Sequence, residues 1–480
     1  MTLSSIKFVA FLAAVAIVYF LLPGKLRKYF LLISNYIFYM LWQPAFGLLL
    51  MAGTLVTYLC ARGFEAEYLR RGKLWIIMGQ LYLFGLLFLY KYLDFFCSVT
   101  LGLAGIELNI NSLVLPIGIS FYTFSASGYL FDVYRRKFTA ERSIIDFAVF
   151  LSFFPSILSG PISRAQSLLP QIKESRDFDY PRFKQGLMRF AVGAVKKLVL
   201  ADTLAIYINA VYADVSAYSG TALALAAVMY SLQIYFDFAG YTDMAIGAAR
   251  ILGFDLCENF NAPYLVRSIK EFWKKWHISL TSWFRDYLYF PLGGSRVSKW
   301  RTYLNILIVF AVSGLWHGAA MNFVLWGLLN GIYQVIGQLL MPARLRLHKA
   351  LHIKEDSPAL AFCQCVFTFI LVTLSWVFFR AASTGEAVYI IKQIALVPFN
   401  DIGSTGVLTA LSIKQLALIA FCLVIFTIQD ILTVKGKKLP DLSASPFKYW
   451  LVLSLIAAFI CVFGVYGEGF DPQAFVYFKF

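Results

Sequence analysis

Two of the four histidines in this 480-residue chain, His277 and His317, fall in one stretch. There EFWKKWHISLTSWFRDYLYFPLGGSR, from Glu271, leads into an apolar segment that stops at SGLWHG. An ionisable side chain set in sequence of lipid-grade hydrophobicity is costly and marks function by default. Burial disfavours a charged imidazole, and the neutral form is the one a general base needs. His317 sits in SGLWHGAAMNF between two apolar segments. Gly314 and Gly318 beside it carry no side chains and leave room for another backbone or a thin substrate. The plainer reading of His317 is a packing residue whose ring nitrogens bond to neighbouring helices. His277 is flanked by Lys274, Lys275 and Arg285, with Trp273, Trp276 and Trp283 at helical spacing around it. That is the ordinary pattern of an aromatic belt at a membrane interface, so for His277 taken alone structure outweighs chemistry.

Other polar groups stand near these two. RDYLYFPLGGSR supplies an Arg285-Asp286 pair and a Gly293-Gly294 turn before Arg296, a basic turn able to meet phosphates, although most such turns bind nothing. QIYFDFAGYTDMAIG places Asp237 and Asp243 in apolar sequence, where carboxylates need a polar cavity or partners. Asn259 and Asn261 in ENFNAPY suit bonds to loop backbone. His348 and His352 are four apart on a basic helical stretch with no acid or cysteine to complete a metal set, which reads as a solvated face. None of GxSxG, HExxH or GxxxxGK[ST] is present, which excludes the usual soluble hydrolase, zinc protease and P-loop ATPase. The seven cysteines form no CxxC pair, so neither a metal site nor a disulfide framework follows.

The elements that must hold these residues are membrane helices. Hydrophobic residues make up 60% of the chain and charged ones 14%, with mean hydropathy +0.72, whereas a soluble domain has about 45–50% apolar and about 25% charged residues. The apolar residues come in long runs, which favours a helical bundle over an outer-membrane barrel. The formal charge of +16 sits in short stretches between those runs, a pattern that fits inside loops and anionic lipid rather than nucleic acid. In order, apolar segments are expected at 5–22, 30–42, 46–60, 74–96, 113–131, 144–159, 222–252, 303–316, 323–340, 360–379, 416–432 and 451–465. The segment 187–212 carries Lys196, Lys197 and Asp202, so it reads as a broken or re-entrant helix. Basic loops at every second crossing are expected in the cytoplasm and both termini outside. The expected fold is therefore all-α and polytopic, with about ten to twelve spans of about 20 residues plus re-entrant helices. With no internal repeat or linker, residues 1–480 read as one domain.

At this point the residues resemble the membrane-bound O-acyltransferase family, and most closely its bacterial branch typified by alginate O-acetyltransferase. The pieces that carry the resemblance are LPIGISFYTF (115–124), DVYRR (132–136), FPSILSGPISR (154–164), QIYFDFAGYTDMAIG (233–247), ENFNAPY (258–264), EFWKKWHISLTSWFRDYLYFPLGG (271–294), GLWHGA (314–319) and the terminal FVYFKF (475–480). The resemblance implies a bundle of spans and re-entrant helices enclosing a tunnel, with a histidine at its middle. His317 matches that histidine, and His277 matches a second polar position that is asparagine in many eukaryotic members. His317 is then expected to take the proton from an acceptor hydroxyl attacking a thioester carbonyl, while His277 orients or stabilises the developing charge. Trp316, Asn322, Arg285, Asp286, Tyr287, Arg296 and Asp237 are the accompanying candidates for substrate binding.

The resemblance further implies a multi-pass protein of the bacterial inner membrane with no bound cofactor and no metal, using acetyl-CoA or another acyl thioester as donor substrate. It implies an extracytoplasmic SGNH-type acyltransferase as partner, which receives the acyl group and places it on a polysaccharide such as alginate, another exopolysaccharide or peptidoglycan. Transfer of D-alanine to teichoic acid is the alternative within the family, and the two late apolar segments favour the longer acetyltransferase type. A transporter or flippase is the alternative outside it, but that class should show internal repeats and charge on several spans.

Overall fold

The computed structural model describes residues 1–67, 71–103, 113–396, 406–437 and 445–466. Among the described residues the regular structure is entirely helical, and the chain forms two compact units. One comprises Met1–Gly193 with Tyr241–Glu258, the other Ala194–Gly240 with Asn259–Phe480. The helix Gly220–Ile251 contributes 220–240 to the second unit and 241–251 to the first.

In the first unit, helices Ile6–Leu21, Gly24–Met40 and Pro44–Ala66 follow one another through short turns. Ser5 caps the first by accepting from the Phe8 amide, and Pro44 opens the third, where its missing N–H costs nothing. The segment from 72 runs as Gly72–Leu87, a π-helical turn Phe88–Tyr92 and Leu93–Leu103. Helix Ile119–Tyr134 is buried almost throughout. The expected segment at 144–159 is broken at Phe153 into Ile144–Ser152 and Phe154–Ile157. Gly186 and Gly247 let two helices meet backbone to backbone, since a Cβ on either would lie within 3 Å of the other's carbonyl oxygen. Beside that contact Arg189 donates to Asp243 at 3.0 and 2.9 Å and to Glu258 at 2.6 Å, so Asp243 has the partner its setting demands.

The broken helix expected at 187–212 is present, its residues from Ala194 on belonging to the second unit. Tyr180–Ala194 passes into a π-helical stretch Val195–Ala201 that holds Lys196 and Lys197, and Asp202–Ala213 continues it. Lys299–His317 and Met321–Leu339 form the expected hairpin about Gly318. Gly314 and Gly327 put these two helices in direct contact: a Cβ on Gly314 would collide with the Phe323 carbonyl, and one on Gly327 with the Phe310 carbonyl. The room expected beside His317 at Gly314 and Gly318 is thus filled, by the backbone of the next helix and by the Phe323 ring, and not by space for a substrate. The helix Met341–Ala350 ends before His352, which has φ +52°, and His348 is buried, so the two do not share a solvated helical face. Helix Thr384–Leu396, between the later spans, was not foreseen.

Six helices among the described residues are long and apolar enough to cross a membrane: Pro44–Ala66, Gly72–Ser98, Gly220–Ile251, Pro358–Arg380, Ile413–Val434 and Pro446–Phe463. Met321–Leu339 with Met341–Ala350, bent by 48°, makes a seventh if the pair is one span. The ten to twelve segments expected also include shorter or broken pieces, among them Ile6–Leu21 and Ile119–Tyr134 at 16 residues each and the segment cut at Phe153. The terminal FVYFKF and Lys438 lie outside the described residues.

Candidate active site

His317 is the last residue of helix Lys299–His317, and its side chain is 3% exposed. The hairpin delivers it into an aromatic enclosure. Its ring centroid is 4.9 Å from Trp316, 5.0 Å from Trp326 and 5.3 Å from Phe379, each met edge-on. Trp326 stacks on Trp376 at 5.3 Å, so helix Pro358–Arg380 supplies the far wall. Asn322 fixes that wall: its amide donates to the carbonyls of Phe378 at 3.3 Å and Ala381 at 3.0 Å.

His277 stands between two seven-residue helices, Ile269–Lys275 and Ile278–Phe284, outside the spanning helices. Its φ of +44° is left-handed, a conformation that non-glycine residues hold only when their surroundings over-determine it. Asn259 does much of this. Its carbonyl accepts from the Ile278 amide at 2.9 Å, and its side-chain oxygen accepts from the Ser279 amide at 3.1 Å and hydroxyl at 2.8 Å. The bond to loop backbone expected of Asn259 is therefore met, and Asn259 is in addition the clamp of the His277 turn. The imidazole is 1% exposed, with the Phe238 ring edge-on at 4.7 Å and Trp316 at 6.0 Å. Burial pushes its pKa down to about 3, so the ring is neutral at physiological pH.

The two histidines thus meet the same indole, Trp316, which is itself buried. Of the other expected residues, Asp237 lies next in the chain to Phe238 and is ion-paired to Lys197 at 2.6 Å. Arg285 and Asp286 pair with each other at 2.9 Å in the π-helical stretch Arg285–Tyr289, where Tyr287 is buried against Trp283. Arg296 is exposed and follows Gly293 and Gly294, whose φ values of +101° and +58° make glycine the fitting residue for that turn.

A cleft of about 340 Å³ opens beside these elements. Lys270, Lys274 and Arg285 line it together with apolar groups that include Trp273, Phe284, Ile306 and Phe310, and it reaches Ser313, one helical turn before His317. Its wall Trp273 packs at 5.7 Å on Trp326, which in turn touches His317. Lys270 and Lys274 are one turn apart with no carboxylate at ion-pair distance among the described residues. Lys270 was not singled out from the sequence and Lys274 was read only as charge flanking His277; their i, i+4 spacing was the available signal. Among the described residues no group of three His, Cys, Asp or Glu side chains is placed to hold a metal ion. The arrangement offers two buried imidazoles, of which His277 is neutral, beside an apolar cleft lined by basic side chains, which together suit transfer of a group from an anionic carrier.

The model of the membrane-bound O-acyltransferase family matches residues 139–384. The chain is 37% identical to the probable alginate O-acetylase of Pseudomonas aeruginosa over 375 residues, 77% of this chain and 70% of that protein. It is 31% identical to the peptidoglycan O-acetyltransferase of Helicobacter pylori over 80% of this chain and 77% of the relative. With the teichoic acid D-alanyltransferase of Bacillus subtilis it shares 27% identity over 46% of this chain and 58% of the relative. The histidine-bearing helices fall inside the matched region and the apolar helices are those of a multi-pass membrane protein, so this chain belongs to the membrane-bound O-acyltransferase family and is an acyltransferase.

Proposed function

We propose that the protein carries an acetyl group from a cytoplasmic acyl thioester, acetyl-CoA, to an acceptor hydroxyl on the outer side of a bacterial inner membrane. The transfer serves O-acetylation of an extracytoplasmic polysaccharide, such as alginate, another exopolysaccharide or peptidoglycan. The observation that carries this reading is the pair of buried imidazoles on Trp316, beside a cleft with Lys270, Lys274 and Arg285 on its lining. The cations would hold the donor's phosphates, as charge-assisted bonds to phosphate do. The apolar lining would take the arm that bears the thioester.

In the reaction, the acceptor oxygen attacks the thioester carbonyl as its proton passes to His317. The tetrahedral intermediate collapses, the carbon–sulfur bond breaks, and the leaving thiolate takes the proton back from the His317 imidazolium. His277, neutral and able to donate one N–H, would stabilise the oxyanion. A passage between the two faces lets the acyl group cross while its carrier stays inside. An SGNH-type acyltransferase docked outside is the expected partner, receiving the acyl group and placing it on the polymer.

Acetyl stands ahead of D-alanyl because the relatives matched over most of the chain are named for O-acetylation, whereas the D-alanyltransferase matches under half of it. The test is thiol release and acetyl transfer by the purified protein in nanodiscs, with acetyl-CoA and an outer-face acceptor. Transfer that requires His317 is expected. Turnover with D-alanyl carrier protein and none with acetyl-CoA would reverse the assignment.

A further inference from the structure

The π-helical stretch Val195–Ala201 turns Lys197 into the interior of the second unit, where its ammonium bridges two carboxylates, Asp202 at 2.8 Å and Asp237 at 2.6 Å. All three side chains are at most 6% exposed. One cation between two acids at this depth is expensive unless it fixes something, and π-helical insertions recur at functional sites. What it fixes can be traced atom to atom. Asp237 is followed in helix Gly220–Ile251 by Phe238, whose ring meets the His277 imidazole edge-on at 4.7 Å and Phe260 at 5.0 Å. Phe260 follows Asn259, the residue that clamps the left-handed His277 turn. The backbone turn of His277 is thus held by the Asn259 hydrogen bonds, while its ring packs on Phe238, and that packing is precise only if the Asp237–Phe238 turn keeps its place.

We infer that Lys197 is a positioning residue for the acyl transfer: by pinning Asp237 it fixes the register of Phe238 against His277, and so sets where the imidazole stands relative to Trp316 and His317. The carrier of this inference is geometric. The triad sits one residue from the ring that touches His277. Helix Gly220–Ile251 is also held by Ser231 on Thr373 and by Tyr235 on Asp430, so loss of the Lys197 bridge loosens only the turn that carries Asp237 and Phe238, and a misplacement of about 1 Å at a catalytic group can cost about 10²-fold.

The inference rests on the proposed role of His277, so the experiment separates the two. The full-length protein in nanodiscs is assayed as wild type, His277→Ala, Phe238→Ala, the charge-neutral triple variant Lys197→Met/Asp202→Asn/Asp237→Asn, and the triple variant combined with Phe238→Ala. The triple variant removes the three charges together and nearly keeps side-chain volume, so a merely structural triad predicts wild-type kcat wherever the thermal transition is retained. A positioning role predicts kcat about tenfold or more lower with the donor KM unchanged, and no further loss when Phe238→Ala is added, because both lesions act through one contact. Lys197→Arg alone, which keeps a cation between Asp202 and Asp237, should retain more of kcat than the triple variant. If His277→Ala keeps full activity, the role of His277 falls first. If His277→Ala is inactive while the triple variant has wild-type kcat, or its loss and that of Phe238→Ala simply add, the inference alone is overturned.

Discussion

The His277 imidazole and the Trp316 indole lie 6.0 Å apart, centroid to centroid, with their planes tilted by 58°. The same indole meets His317 edge-on at 4.9 Å. One tryptophan therefore sets the separation of the two imidazoles, and it is covalently next to one of them. The two are held in different ways. His317 ends a helix and is enclosed by rings from three segments. His277 occupies a left-handed turn clamped by Asn259.

His317→Ala should lower transfer by about 10²–10⁴-fold, the range a general base contributes. Because the lost ring packs against Trp316, Trp326 and Phe379, expression and thermal stability must be measured alongside. Near-normal transfer by a well-inserted variant would remove His317 from the mechanism.

His277→Asn should retain more activity than His277→Ala, since asparagine keeps a donor of similar reach. The same substitution has a signature in stability. The folded pKa of His277 is lowered to about 3 by burial against 6.5 when exposed. Below about pH 6.5 the unfolded chain binds a proton that the folded protein refuses. The stabilisation is therefore complete above pH 6.5 and is lost as pH falls toward 3. Thermal transitions between pH 6.5 and 4 should fall less steeply in His277→Asn than in wild type; identical slopes would contradict the buried neutral imidazole.

Lys270→Glu and Lys274→Glu place an acid in the mouth of the cleft. Each should raise the donor KM about tenfold at low salt, with the effect shrinking as ionic strength rises, because phosphate contacts of this kind are screened. The acceptor KM should not move. An unchanged donor KM in both would put the donor's phosphates elsewhere.

Gly314→Ala forces a Cβ onto the Phe323 carbonyl, and Gly327→Ala onto that of Phe310. Backbone cannot yield as a side-chain tip does, so each should destabilise by about 1–3 kcal/mol, the usual cost of overpacking. Gly337→Ala, on the same helix with nothing within 4 Å of the added carbon, is the control and should be neutral to slightly stabilising. Equal stabilities in all three would mean the hairpin is looser than its backbone contacts require.

How much of this was legible in the residues depends on what each signal measures. Lys196, Lys197 and Asp202 in apolar sequence announced a broken helix, and the π-helical stretch is there, because polarity at membrane depth forces backbone irregularity. The partners of Asp237 and Asp243 were not legible, since Lys197 and Arg189 come from other segments and long-range pairing leaves no mark on local pattern. The glycines beside His317 signalled close approach correctly but not what approaches. Hydropathy found the apolar runs but not a break such as that at Phe153, because it sees composition and not backbone geometry.

Orientation ties the chemistry to the cell. Basic loops at Lys25–Lys28, Arg62–Lys73, Arg135–Arg142, Arg344–Lys354 and Lys435–Lys438 should face the cytoplasm, because Lys and Arg in short loops set topology. The donor cleft must open on the same side if its cations meet a cytoplasmic thioester. Ser298 reports on that mouth: it is exposed, caps helix Lys299–His317, and lies near Ser295 and Thr302, which line the cleft. In a variant lacking the seven native cysteines, an impermeant maleimide applied to intact cells should modify Lys7→Cys, which is exposed near the outer N-terminus, and miss Ser298→Cys. Permeabilised cells should label both. If Ser298→Cys reacts from outside, Lys270, Lys274 and Arg285 face away from the cytoplasm, and no thioester made there can reach them.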